Sequence, residues 1–173
     1  MTARVPSISI NFRLRRLSAG SRLKIWPPAG DNMDTVTAEQ RHKNMSHIRS
    51  TNTKPEEIVR KYLFSQGFRY RKNDKRYPGK PDIVLPKYKT VIFVNGCFWH
   101  HHEGCKYAAV PKSNQEYWLP KLKRNIDRDI EIHKKLTDDG WNIIIVWECE
   151  IKNKSRREER LRSLAEEIKA KEI

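Results

Sequence analysis

Acidic residues are scarce in this sequence of 173 residues: 21 Asp and Glu face 36 Lys and Arg, a formal charge of +15 at pH 7. The deficit argues against a neutral metabolite and for a polyanionic partner, nucleic acid first and an anionic membrane surface second. Long apolar runs are missing as well. None approaches the roughly 18 residues of a membrane-spanning helix, and mean hydropathy is −0.84, which points away from an integral membrane protein. The three cysteines are an odd number and cannot close a disulfide framework. No apolar signal-peptide core opens the chain, so a reducing, cytoplasmic setting is expected. No internal repeat is visible.

What charge there is lies unevenly. Residues 1–32 carry Arg4, Arg13, Arg15, Arg16, Arg22 and Lys24 against Asp31 alone, with Pro6, Pro27, Pro28 and Gly30 and no sustained helical periodicity. This segment is expected to be a basic, disordered leader. A transit peptide, a start codon placed too early and a DNA-binding arm all fit it. A second methionine, Met33, then opens what reads as one domain over residues 33–173, a length that supports a single core.

Within that domain Thr37 is placed to cap a helix running to about Ser50. Lys54-Pro55-Glu56-Glu57 starts a second helix, with proline in its first turn, and Ile58, Tyr62, Leu63 and Phe64 give it an apolar side up to the stop at Gly67. Phe68-Arg69-Tyr70-Arg71 alternates like a strand. Pro81-Asp82-Ile83-Val84-Leu85 enters another, and Lys89 to Asn95 reads as a strand buried on both faces. A long helix is predicted from about Gln115 to Asp138 on Trp118, Leu122, Ile126, Ile130 and Leu136, with Pro120 as a point of kinking. Trp141 to Cys149 follows as a strand. A charged helix from Ser155 to Lys171 closes the chain, with Leu161, Leu164, Ala165 and Ile168 inward. The order ααβββαβα specifies an α/β protein with a mixed central sheet flanked by helices, a scaffold that many functions share.

Chemistry concentrates in Gly96-Cys97-Phe98-Trp99-His100-His101-His102-Glu103-Gly104-Cys105. Thiolate and imidazole together suit tetrahedral structural zinc, and Cys97, His102 and Cys105 have C-x4-H-x2-C spacing. Cys149, at the end of a neighbouring strand, can supply the fourth ligand. Unrelated buried thiols beside a chance histidine run, or a histidine triplet binding nickel or copper at the surface, would explain the same residues. His100 cannot easily share that site with His102, which leaves it free as a general base, a task for which imidazole titrates in the right range. An exposed loop histidine is the plainer reading. Asp82, after Pro81 at a strand mouth, is a carboxylate of the kind that phosphodiesterases offer to Mg²⁺, although Pro-Asp is also an ordinary turn. Glu56, Asp82, His100 and Asp129 acquire a common meaning only if the fold converges them. Phe98 and Trp99, joined by Trp118, could wedge into a base stack or could be core.

Asn44-Met45, Ile48-Arg49-Ser50, Thr53-Lys54-Pro55-Glu56, Pro78-Gly79-Lys80-Pro81-Asp82, Val91-Ile92-Phe93-Val94, Gly96-Cys97-Phe98-Trp99-His100, Pro111-Lys112, Lys123-Arg124-Asn125 with Asp129, Gly140-Trp141 and Val146-Trp147-Glu148-Cys149 together resemble the very short patch repair (Vsr) DNA mismatch endonucleases. The likeness spans about residues 38 to 150. It implies a restriction-endonuclease-like fold and a Mg²⁺-dependent nick in one strand, 5′ of the thymine in a T:G mismatch left by deamination of 5-methylcytosine. Asp82 would ligate Mg²⁺ with the main-chain carbonyl of Val94, His100 would activate water, Asp129 would orient His100, and Glu56 would hold water at the metal. The resemblance also implies a structural Zn²⁺ on Cys97, His102, Cys105 and Cys149, insertion of Phe98, Trp99 and Trp118 beside the mismatch, and a DNA-binding helix around Met45. It further implies a bacterial-type, nucleoid-associated monomer acting on double-stranded DNA with other mismatch-repair proteins. Where some members have a histidine before Gly-Cys this chain has Asn95, so a mechanism with one histidine is expected. A related nickase or restriction-type enzyme without T:G preference, and a non-catalytic zinc-stabilised DNA-binding module, are the competing functions.

Overall fold

A computed structural model describes Thr37, Glu39, Gln40, Lys43 and residues 51–111 and 114–171. The leader expected over residues 1–32, most of the helix expected over 37–50, and Met45 lie outside the described residues. Within reach of description, the Thr37 hydroxyl accepts the Gln40 N–H at 3.2 Å and Glu39, Gln40 and Lys43 are helical, as the cap predicts.

The elements are α1 (Lys54–Ser65), β1 (Arg71–Lys72), β2 (Ile83–Leu85), β3 (Thr90–Asn95), α2 (Gln115–Asp138), β4 (Asn142–Trp147), α3 (Glu148–Lys152) and α4 (Lys154–Lys169), with 3-10 turns at Pro86–Tyr88 and Lys106–Ala108. The sheet order is β1-β2-β3-β4. The first two pairings are antiparallel, whereas β3 and β4 run parallel from Thr90↔Asn142 to Asn95↔Trp147. A parallel neighbour requires a crossover, which α2 supplies.

Side-chain alternation along the strands divides the core between two faces. Ile83, Leu85, Ile92, Ile144 and Val146 pack with Val59 and Leu63 of α1, Ile151 of α3, and Leu161, Leu164, Ala165 and Ile168 of α4. Val84 and Val91 face the other way, onto Leu136 of α2, with Tyr77, Phe93, Ile132, Trp141 and Ile143 around them. The mixed α/β class and the inward residues of the last helix are as the sequence predicts. Gly79 permits a close approach on the second face: a Cβ there would lie 2.5 Å from Ile132 Cγ2, and its φ of +71° is itself one that side chains disfavour.

Several boundaries differ from expectation for one physical reason. After α1, the Gly67 N–H reaches Phe64 O and the Phe68 N–H reaches Leu63 O, both at 3.0 Å, with Gly67 at φ +86°. This is a Schellman stop, whose apolar residue packs back on the helix. Phe68 is therefore buried with Leu63 in the core, and the strand expected at Phe68–Arg71 shrinks to Arg71–Lys72. The same arrangement ends α2, where Gly140 N–H donates to Thr137 O and Trp141 N–H to Leu136 O. Trp141 is thus taken from β4, which starts at Asn142. At the other end Cys149 lies in α3 rather than in the strand, because the Glu150 carboxylate accepts the Trp147 N–H at 2.7 Å and starts a helical turn. Along α1 the buried side is Glu56, Val59, Arg60 and Leu63, while Phe64 is exposed. Ile130 of α2 is exposed too, and α2 continues on both sides of Pro120.

Candidate active site and metal centre

The strand directions bring the chemical residues to one end of the sheet. β2 starts where β3 and β4 finish, so Asp82, Val94-Asn95 and Trp147 to Cys149 share an edge, and the loop after Asn95 folds over it. That loop is held by its own backbone: His100 N–H to Gly96 O at 3.1 Å, His102 N–H to Cys97 O at 3.0 Å, and Cys105 N–H to His102 O at 3.1 Å. His101 turns the chain with φ +48°, which sends His100 and His102 to different neighbours.

His102 joins the cysteines. Ligand atoms of Cys97, His102, Cys105 and Cys149 all lie within 4.8 Å of one another. His102 Nδ1 is 3.6 Å from Cys97 Sγ and 3.4 Å from Cys149 Sγ. Tetrahedral zinc with ordinary bond lengths separates sulfur and nitrogen ligands by about 3.6 Å, so three sulfurs and one imidazole nitrogen fit that ion. The His102 ring lies flat on Trp147, with centroids 4.1 Å apart and planes 1° from parallel, which fixes the ring orientation as a supporting residue does in metal sites. Burial pushes the Cys97 thiol up to about 12 and raises that of Cys149 as well. Thiols so crowded favour the protonated form unless a cation replaces the protons. Cys149, the residue expected to complete the set, lies within that cluster and is delivered by the first turn of α3.

His100 meets a different partner. Its Nδ1 is 2.5 Å from Asp129 Oδ2 in the middle of α2, and Asp129 Oδ1 also accepts from Arg128 at 3.1 Å. Burial raises the Asp129 carboxyl, but the His100 hydrogen bond and charge, with those of Arg128, prevail and hold it below the usual carboxylate range. One turn along α2, His133 packs its ring on Phe93, centroids 5.4 Å apart. Burial, offset by Asp129 and reinforced by His100, lowers its affinity for a proton.

Asp82 sits at the head of β2 with Oδ2 accepting the Val94 N–H at 2.8 Å, which ties it to β3. Burial drives its carboxyl up to about 6; the Val94 bond works against this, Glu56 adds to it, and Arg60 and His100 moderate it. The charges of Glu56, Arg60 and His100 are thus all felt at Asp82. A half-buried carboxylate that feels the charge of a second one is a hard-oxygen donor set that fits Mg²⁺. Glu56 itself is 3% exposed. Its Oε1 accepts the Thr53 N–H and hydroxyl at 3.2 and 2.8 Å, and its Oε2 accepts the Asn52 N–H at 3.0 Å and Arg60 Nη2 at 2.9 Å.

The aromatic residues form one group. Trp118 is 6% exposed, with Phe98 5.3 Å, Trp99 6.1 Å and Tyr117 5.1 Å from it between centroids. Phe98 and Trp99 are 5.0 Å apart. Lys121 Nζ lies 5.5 Å from the Trp99 centroid, 5.1 Å from Tyr117 and 5.7 Å from Trp118, and Asn125 donates to the Trp99 carbonyl at 3.1 Å.

Asp82, His100, Asp129 and Glu56 thus lie in one neighbourhood, and the Cys97, His102, Cys105 and Cys149 cluster in another. Sequence reasoning missed Arg60, Asn52 and Asn73 beside the first, and His133. The i,i+4 spacing of Glu56 and Arg60 was the available sign of that ion pair.

Comparison with known proteins adds lineage to this geometry. The family model for DNA mismatch endonuclease Vsr matches residues 33–106. The Type II nicking enzyme V.NmeAIP of Neisseria meningitidis serogroup A is 55% identical over 136 residues, covering 79% of this chain and 96% of that protein. The Type II nicking enzyme V.XorIIP of Xanthomonas oryzae pv. oryzae is 44% identical over 131 residues, 76% of this chain and 96% of its own. The DNA mismatch endonuclease Vsr of Escherichia coli K12 is 40% identical over 116 residues, 67% of this chain and 74% of that one. The chain belongs to the Vsr family of DNA mismatch endonucleases, enzymes that cut within a DNA strand.

Proposed function

We propose that this protein nicks one strand of double-stranded DNA immediately 5′ of the thymine in a T:G mismatch, the lesion left when 5-methylcytosine is deaminated, with Mg²⁺ as the catalytic ion. The observation that carries the reading is the His100–Asp129 pair, with the His100 charge felt at half-buried Asp82. Names of relatives as nicking enzymes and as a mismatch endonuclease support the strand-cutting chemistry and the substrate. The mixed sheet carrying a carboxylate at its edge agrees with a restriction-endonuclease-like fold.

In this reading each side chain has one task. Asp129 accepts Nδ1–H of His100, fixing the tautomer so that Nε2 takes the proton of the attacking water. Asp82 and the main-chain carbonyl of Val94 hold Mg²⁺, which when bound stabilises the charge that develops on the scissile phosphate. Glu56 lies behind Asp82; to hold a water at the metal it would share a carboxylate already engaged by the α1 cap and Arg60. Asn95, a buried neutral amide, gives His100 no second proton carrier from that position. Cys97, His102, Cys105 and Cys149 hold a structural Zn²⁺ that keeps the loop rigid, so Phe98 and Trp99 project from a fixed base. With Trp118 they enter the stack beside the mismatch, where a wobble pair yields more readily than a matched one. Their mutual packing in the free protein is exchanged for packing on bases. The region of Met45 adds DNA contacts, the protein works as a monomer in the cytoplasm, and other mismatch-repair proteins complete the repair.

Substitution separates chemistry from binding. Asp82→Ala and His100→Ala are each expected to lower nicking of a T:G duplex at least 10³-fold while mismatch binding in a gel-shift assay changes less than about threefold. Retention of nicking in both variants would reject this centre.

A further inference from the structure

The acidic centre contains a cation of its own. Arg60 is 6% exposed, and its Nη2 reaches Glu56 Oε2 at 2.9 Å, the Asp82 main-chain oxygen at 3.0 Å and Asn73 Oδ1 at 3.3 Å, while Nη1 donates to Asn52 Oδ1 at 2.8 Å. One guanidinium therefore joins α1, the turn before β2 and the backbone of the residue proposed to ligate the metal. Its Nε is buried with no protein acceptor, so the Nη side alone sets where the charge stands. An ionised carboxylate offers about four acceptor positions. In Glu56 these are filled by Arg60, the Asn52 and Thr53 N–H groups and the Thr53 hydroxyl.

Two carboxylates close enough to perturb one another attract divalent cations, and a pair can draw in two. Here the Arg60 guanidinium, paired with Glu56 at 2.9 Å, already neutralises the Glu56 half. We propose that Arg60 is the built-in counter-ion of the acidic centre, a positioning residue that takes the place of a second metal at Glu56, so that the protein's own side chains bind a single divalent ion at Asp82. The inference rests on the nuclease reading of Asp82. It adds the metal count and the residue that determines it.

Manganese tests it by counting rather than by activity. The zinc-loaded full chain is titrated with Mn²⁺ without DNA, and bound ions are read from the loss of the free-ion paramagnetic resonance signal. One ion is expected for the wild type and for Arg60→Lys, which keeps the charge, and two for Arg60→Met, which removes it. If Arg60 were only a brace, the lysine and methionine variants would behave alike and neither would gain an ion. Two ions in the wild type, or one in a folded Arg60→Met, would overturn the proposal. Should Arg60→Met fail to fold, Glu56→Gln in the otherwise native chain decides: an unchanged count and affinity supports a Glu56 that holds no ion, and a tenfold weakening rejects it. Asp82→Asn should lose the ion. If Mn²⁺ binding survives in Asp82→Asn, the metal assignment to Asp82 fails and takes the Arg60 role with it, whereas a failure in the Arg60 and Glu56 variants alone leaves that assignment standing.

Discussion

At the scale of single residues, the centre joins groups whose environments pull them in opposite directions. Burial raises Asp82 to about 6, whereas Asp129, half-buried on its helix, is held low by the imidazole beside it. Such divergence is common where a protein holds groups for use rather than for stability. Its cost can be measured. A carboxyl whose value rises on folding stabilises the fold while both states are protonated, and that contribution disappears as pH climbs from about 4 through about 6. At pH 8 the metal-free protein should therefore be destabilised by ionised Asp82 by about 1–3 kcal/mol. Asp82→Asn, which keeps an acceptor for the Val94 N–H, is expected to raise stability by that amount in urea unfolding at pH 8 and to be neutral at pH 4. Equal stability of the two proteins at both values would mean that Asp82 is not desolvated. Asp82, His100 and Asp129 could be named as candidates from the sequence, but residue type alone left each with a plainer reading; the resemblance grouped them, and the fold brings His100 onto Asp129 and its charge to Asp82. Arg60 was harder to read: its i,i+4 spacing hinted at the pair with Glu56, but on α1 it occupies the inward side, where apolar residues were expected, and only the fold shows that it also reaches Asn73 and the Asp82 carbonyl.

At the scale of elements, helix ends decide what reaches the site. The Gly67-Phe68 and Gly140-Trp141 stops each take an aromatic residue away from the strand that follows, an exchange invisible to alternation counting because a stop residue and a strand residue are both apolar. Loop 96–105 and α3 form a second unit, joined by the cluster of Cys97, His102, Cys105 and Cys149 and by stacking of His102 on Trp147. The count of three cysteines and the C-x4-H-x2-C spacing made that unit readable. The helical turn that carries Cys149 was not, since it depends on Glu150 capping Trp147. Cys149→Ser is expected to lower zinc content from one per chain to below about 0.2 by elemental analysis and to destabilise the fold by several kcal/mol, because a structural zinc supplies folding free energy. Full zinc content in that variant would remove Cys149 from the ligand set.

For the whole molecule, strand order is the decisive fact. Two antiparallel pairings followed by one parallel pairing place the start of β2 and the ends of β3 and β4 at one edge, and α2 crosses back over that edge carrying Trp118 near its start and Asp129 in its middle. The acidic centre and the aromatic group are thereby carried on the same helix and loop, an arrangement that suits the proposed opening of a duplex with a cut beside it. A formal charge of +15 favours DNA without regard to sequence, so in the proposed function selectivity is assigned to the aromatic group and to groove contacts rather than to affinity for phosphate. The most direct measurement is a denaturing-gel nicking assay with Mg²⁺ on duplexes labelled in either strand, identical except for T:G or C:G at one position. The account predicts a single cut 5′ of the mismatched thymine, absent from the other strand, from the C:G duplex and from Asp82→Ala. Equal cutting of both duplexes, or binding of both without any cut, would contradict it.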